Sequence, residues 1–351
     1  MRIPTTGTAT SRSPGLAEPL AASVAVALCI AAQLPHRLLA AMGRPGWVLS
    51  LVVVVVLVNG ARALARAPFT RSRASGGAGW ALGELRTLVV TAAAGAVLSL
   101  PVYLLLRATP AWWVLAWLVF AGVTVLGQVA MPLTLRAQSG PLHAADGPLA
   151  ERLSALGARA GVDVGAGVAV AGKPGSTRCN AYVVGMGPTR RVVLESALAA
   201  WPPPLVDQVV AHELGHWRLR HVAARLPVVL AVQLATLALA AWVLTLQPVL
   251  AWAGVSDAGD PPSYPLLVLL TPLVALPARC VLAWRDRTHE RAADRFALSL
   301  LRAPETFAAM LDRAADEGGA PRNLPWWRRL TASHPPIEER SLLCMRYAST
   351  A

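Results

Sequence analysis

Charge is scarce in this sequence. Of its 351 residues 15% are charged and 55% hydrophobic, whereas about a quarter of a soluble domain is charged. That excludes an ordinary soluble enzyme. Bulk disorder is excluded as well, because its signature is low hydrophobicity. Cysteine is scarce too. Cys29, Cys179, Cys280 and Cys344 are scattered without metal-ligand or framework spacing, which excludes a small disulfide scaffold. Cys29 and Cys280 fall inside apolar runs and read as small hydrophobes. No phosphate-cradling glycine loop, nucleophile elbow or Cys–His pairing is present. Lysine is nearly missing: the 32 basic residues are arginine apart from Lys173.

What is present in quantity is apolar sequence and positive charge. A net charge of +13 raises nucleic acid as a partner. Here, however, the arginines recur between apolar stretches, as membrane topology requires, so no nucleic acid is expected. A bilayer core needs about 20 mostly apolar residues in a helix. Leu88–Leu106, Ala108–Leu135 and Leu226–Ser256 contain no charge at all. Three weaker runs join them: Leu20–Leu34, Trp47–Leu64 with Arg62 placed to snorkel, and Tyr264–Trp284 with Arg279 near its end.

Six spans with the N-terminus inside put the Arg-rich segment Arg62–Arg86 on the cytoplasmic side and the loop with Asp257 and Asp260 outside. The polar segments Arg136–Arg225 and Arg285–Ala351 then share the cytoplasmic face and can form one catalytic domain. The expected organisation is a membrane region over residues 1–136, the first part of that domain over 137–225, two further spans over 226–284, and the second part over 285–351. The loop holding Arg37 and Arg44 falls outside in this scheme, against the trend. Trp112, Trp113 and Trp117 read as interfacial anchors. Within the polar segments, Leu149–Ala160 has helical spacing. Val168–Val170, Ala181–Val184 and Arg191–Leu194 read as short strands, with a turn at Gly185–Thr189.

The central motif is His212-Glu213-Leu214-Gly215-His216. Histidines at i and i+4 share one helix face, so both imidazoles can reach one ion. Zinc accepts neutral imidazole nitrogen and, in catalytic sites, keeps a position open for water. Glu213 stands beside the first histidine, placed to take a proton from that water and pass it to a leaving amine. Pro202–Pro204 precede the helix, Asp207 is placed to favour its first turn, and Val209, Val210, Leu214 and Leu219 give it an apolar face.

Carboxylates number only 19, which shortens the search for a third ligand. Glu290 and Asp294 are four apart and share a helix face. Glu290 could bind the ion, and Asp294 could accept the other ring N–H of a ligand such as His212. His289 is a competing third ligand. His221, five residues after His216, lies off the ligand face and reads as interfacial.

Ala211–His221 (AHELGHWRLRH), two apolar runs, His289–Ala297 (HERAADRFA) and Ser333–Arg340 (SHPPIEER) resemble, in that order, the integral-membrane zinc metallopeptidase family of the CaaX prenyl endopeptidase and the heat-shock protease HtpX. Asn180–Gly185 and Arg190–Leu194 resemble the edge strand and hairpin that precede the metal helix in that family. The resemblance implies a mainly α integral-membrane protein of about six spans, with a cytoplasmic gluzincin-like α+β protease domain. It implies one Zn²⁺ per chain on His212, His216 and Glu290, with Glu213 as general base and acid and Asp294 behind the ligands. It further implies that His334 helps stabilise the tetrahedral oxyanion, and that Asn180, Ala181 and Arg340 lie where substrate binds.

Protein or peptide substrates, a lipid bilayer and the inner (plasma) membrane are the expected partners and setting. Six spans where the CaaX enzyme has seven, and the stiff joint Trp201–Pro204, depart from the family pattern and argue against a prenylated substrate. Two other classes remain open. A signalling protease-receptor would need a sizeable outside sensor, yet the longest outside loop has about ten residues. A non-catalytic scaffold or transporter would show intramembrane charges, which the long runs lack.

Overall fold

A computed structural model describes residues 17–71, 77–139, 142–145, 147–164, 168–171, 180–185, 190–318 and 321–350. Arg2, Arg12, Lys173, Cys179 and, beyond Gly185, the turn expected at Gly185–Thr189 lie outside them. In chain order the elements begin with helices α1 (Ala17–Ala31), α2 (Leu34–Ala41), α3 (Trp47–Arg71), α4 (Gly77–Ala108) and α5 (Trp112–Ser139). There follow β1 (Leu142–Ala144), α6 (Gly147–Arg159), β2 (Val168–Ala171), β3 (Ala181–Val184), β4 (Arg191–Glu195), α7 (Ser196–Ala199) and α8 (Pro203–Arg218). The rest comprises α9 (His221–Val243), α10 (Gln247–Trp252), a 3₁₀ turn at Pro261–Ser263, α11 (Tyr264–Leu301), α12 (Pro304–Gly318), α13 (Trp326–Arg329) and α14 (Ile337–Thr350).

The chain forms two compact units, each from two stretches of sequence. One takes Met1–Phe120 with Val232–Pro277, the other Ala121–Ala231 with Ala278–Ala351. In the first unit α3 packs against α1 and α4. Its run Leu51–Val58 is rich in β-branched residues, which favour strands in water. In hydrocarbon every backbone amide must be satisfied within its own segment, and a helix does that. Leu51, Val54, Val55 and Val58 turn one stripe of this helix onto Val26, Tyr103 and Tyr264.

Among the described residues five helices are long and apolar enough to cross a bilayer: Trp47–Arg71, Gly79–Ala108, Trp112–Met131, His221–Val243 and Pro261–Leu301. A sixth span is formed if Glu18–Ala31 and Leu34–Ala41 count together across their 57° bend. The bend falls at Gln33, whose φ of 51° puts it in the left-handed region and ends α1. Leu82, Val97, Val123 and Leu126 remain exposed, the kind of surface that acyl chains cover. The apolar run Leu226–Ser256 is not one helix: α9 stops at Val243, and Pro248 helps start α10. Trp112, expected at an interface, is instead 6% exposed and packs with Ile30, Leu250 and Leu266.

The second unit pairs a four-stranded sheet with helices. Strand order is β1-β2-β4-β3, with β2 and β4 parallel and the other pairs antiparallel. β1 is too short to leave a periodic trace in sequence. β1 and β3 are the edges, and β3 packs against α8. One core joins Leu153 and Leu156 of α6, Leu194 of β4 and Val210 and Leu214 of α8 to Leu298, Phe307 and Ile337 from the C-terminal stretch. That core fixes α8 against α11 and positions the site.

Candidate metal centre

α8 starts cleanly because Pro203 occupies its first turn, where no backbone N–H is needed. Val206, Val210 and Leu214, spaced by four, are each fully buried and fix the helix's rotation. Asp207 lies one turn further in than expected, so it does not favour the first turn; its carboxylate instead takes Arg152 at 2.7 Å. Leu219, expected on the apolar face, caps the helix end and is 42% exposed.

The rotation of α8 brings His212 and His216 together, with 3.1 Å between their Nε2 atoms. α11 supplies the carboxylate. Glu290 Oε2 lies 3.4 Å from His212 Nε2, and Oε1 lies 3.3 Å from His216 Nε2. One ligand atom from each of His212, His216 and Glu290 falls within 4.8 Å of the other two. His212 and Glu290 are buried. Two imidazole nitrogens and a carboxylate converging in this way fit a metal ion, and zinc takes these donor types. Among the described residues this is the one group of three or more ligand side chains that could hold an ion.

Each ligand candidate is held from behind. Asp294 Oδ1 lies 2.9 Å from His212 Nδ1, and the carboxylate is gripped by Arg340, Nη2 to Oδ1 at 2.6 Å and Nε to Oδ2 at 2.9 Å. Arg340, expected at the substrate, thus sits on Asp294 with its side chain 13% exposed. His334 is the open partner: its side chain is 68% exposed, and its Nδ1 lies 2.9 Å from Glu290 Oε2. That contact raises its pKa. Burial raises the pKa of Glu213, against the pull of His212 and His216 and of a hydrogen bond from the Val183 backbone N–H.

That backbone contact ties the catalytic candidate to the sheet edge. Asn180 C=O accepts the Glu195 N–H at 2.9 Å. Antiparallel alternation then makes Tyr182–Val193 a hydrogen-bonded pair and turns the amides of Ala181 and Val183 away from β4. Ala181 is buried at the start of β3. Asn180 is exposed, and its side chain accepts the Ala181 N–H at 2.9 Å.

Sequence reasoning misses His221. It is 7% exposed, its Nδ1 lies 2.8 Å from His216 Nδ1, and its ring stacks on His289. Counting residues along one helix puts His221 on the wrong face. Arg220, with φ of 54°, ends α8, and α9 restarts at His221 in a new direction. A left-handed residue between the two histidines is the feature that overturns the wheel.

The pattern of the family described as peptidase family M48 matches residues 146–342. Two curated proteins, each named CAAX prenyl protease 1 homolog, are similar to this chain. That of Oryza sativa subsp. japonica is 29% identical over 201 residues, covering 56% of this chain and 46% of the relative. That of Dictyostelium discoideum is 27% identical over 128 residues, covering 36% of this chain and 30% of the relative. The chain therefore matches less than half the length of either relative. The crystal structure of S. mikatae Ste24p is similar in fold, with a TM-score of 0.63 and 19% identity over 76% of this chain and 66% of that one.

Proposed function

The chain belongs to peptidase family M48, and on that premise we propose that it is a membrane-embedded zinc metalloendopeptidase. The observation that carries the reading is the meeting of His212, His216 and Glu290 beside Glu213 on the same helix. Zinc held by those three side chains would acidify a water molecule and polarise the scissile carbonyl. The chain's own residues do the rest. Glu213, with its pKa raised by burial, takes the water's proton and delivers it to the departing amine nitrogen. Asp294, clamped by Arg340, orients His212. His334, exposed at the site, donates to the substrate oxygen as charge develops there. Substrate adds along the edge strand at Asn180 and Ala181, on the side of β3 that faces away from β4.

Substrates on this reading are membrane or membrane-adjacent proteins, cleaved for quality control or processing on the cytoplasmic face of the inner membrane. The relatives' names concern CAAX prenyl proteins. Their match covers less than half of each relative, so peptide cleavage is carried over and the prenylated substrate is not. The test is to incubate the detergent-solubilised protein with an unfolded polypeptide, with and without chelator. Cleavage should stop with chelator and return with zinc. Cleavage indifferent to chelator would sink the proposal.

A further inference from the structure

Both histidines of the cluster have a second partner behind the ring. For His212 it is a carboxylate, Asp294; for His216 it is another imidazole, His221, with 2.8 Å between Nδ1 atoms. A contact of that length between two nitrogens holds one proton, on one side or the other. If His221 supplied it, neutral His216 would carry its own proton on Nε2, aimed at His212 and Glu290, with no lone pair for an ion. With the proton on His216 Nδ1, Nε2 is left bare toward the cluster, and His221 is the acceptor with its proton on Nε2. His221 cannot easily turn away. It is buried, and its ring lies 4.2 Å from that of His289 with 3° between the planes.

We propose that His221 is a positioning residue for His216: it accepts the Nδ1–H, fixes the tautomer that presents Nε2, and is itself held flat by His289. This rests on the metal reading of His212, His216 and Glu290. Ligating histidines usually rest on a carboxylate, carbonyl or water, and losing such a partner weakens metal binding about 10–100-fold.

The test measures zinc affinity by chelator competition on the full chain in detergent. It compares wild type with His221→Asn, His221→Ala and His216→Ala, and follows thermal unfolding of each metal-free protein. The Asn side-chain oxygen can stand where Nδ1 stands; Ala offers no acceptor. His221→Ala should bind zinc about 10–100-fold more weakly, and His221→Asn should recover most of that loss. Should His221→Ala fail to fold, His221→Leu fills the space without an acceptor and replaces it in the comparison. Unchanged affinity without the acceptor, or equal losses with and without it, overturns the proposal. Absent zinc binding in wild type, or intact binding in His216→Ala, would refute the metal reading and this inference with it.

Discussion

At the scale of single residues, the account rests on one carboxylate from a distant part of the chain. Glu290 faces both histidines, and with carboxylates so rare it has few rivals. Glu290→Ala should lose most of the zinc, measured by metal analysis of the purified protein. Stoichiometric zinc retained in that variant would contradict Glu290 as the third ligand. A pH effect follows from His212. In the metal-free protein burial disfavours its charged form, but contacts with Asp294 and Glu290 win and push its pKa up to about 10. Because this lies above the ordinary value of about 6.5, the imidazolium stabilises the metal-free fold fully below that value and ceases to as pH climbs through about 10. Zinc needs the neutral ring, so binding near neutral pH must expel the proton, and affinity should rise about tenfold per pH unit. Calorimetry in buffers of different ionisation enthalpy reads the released proton, and an affinity flat from about pH 6 to 8 would contradict it. His212, Glu213 and His216 are legible in sequence because i, i+4 spacing is a property of one helix. His221 is not, because its place depends on the left-handed Arg220 between two helices.

At the scale of elements, the site depends on how closely α8 approaches α11. A Cβ on Gly215 would stand 3.1 Å from the Ala293 Cα and 3.2 Å from Phe296 Cδ1. Alanine would gain about 1 kcal/mol in helix propensity. Overpacking costs about 1–3 kcal/mol, and it should win here because the nearest atom is backbone that cannot swing aside. Gly215→Ala should therefore unfold at lower temperature and bind zinc more weakly, read by thermal unfolding with and without zinc. A variant that melts higher would show that the helices have room to spare. Strands β2 to β4 are legible as short apolar runs, and α3 from its length. The bend at Gln33 and the break after Val243 are hidden, because an unbroken apolar run carries no mark of where a helix ends.

For the whole molecule, the scarce charge and the arginine surplus describe a chain that crosses a bilayer repeatedly and keeps its chemistry in polar segments. Helix count is legible to within one span because hydrocarbon leaves the backbone no alternative to helix. Joining of the polar stretches through one core, Leu153 and Val210 with Leu298 and Phe307, is not written in either stretch alone. The orientation expected from the arginine distribution, N-terminus inside, would put Asp257 outside. A reporter fused there should read as external, and a cytoplasmic reading would reverse the topology. The most direct measurement pairs proteolysis with zinc content in Glu213→Gln. Losing a general acid–base group costs about 10²–10⁴-fold in rate, so cleavage should fall by that factor while zinc stays at one per chain. Full activity in that variant would contradict the account at its centre.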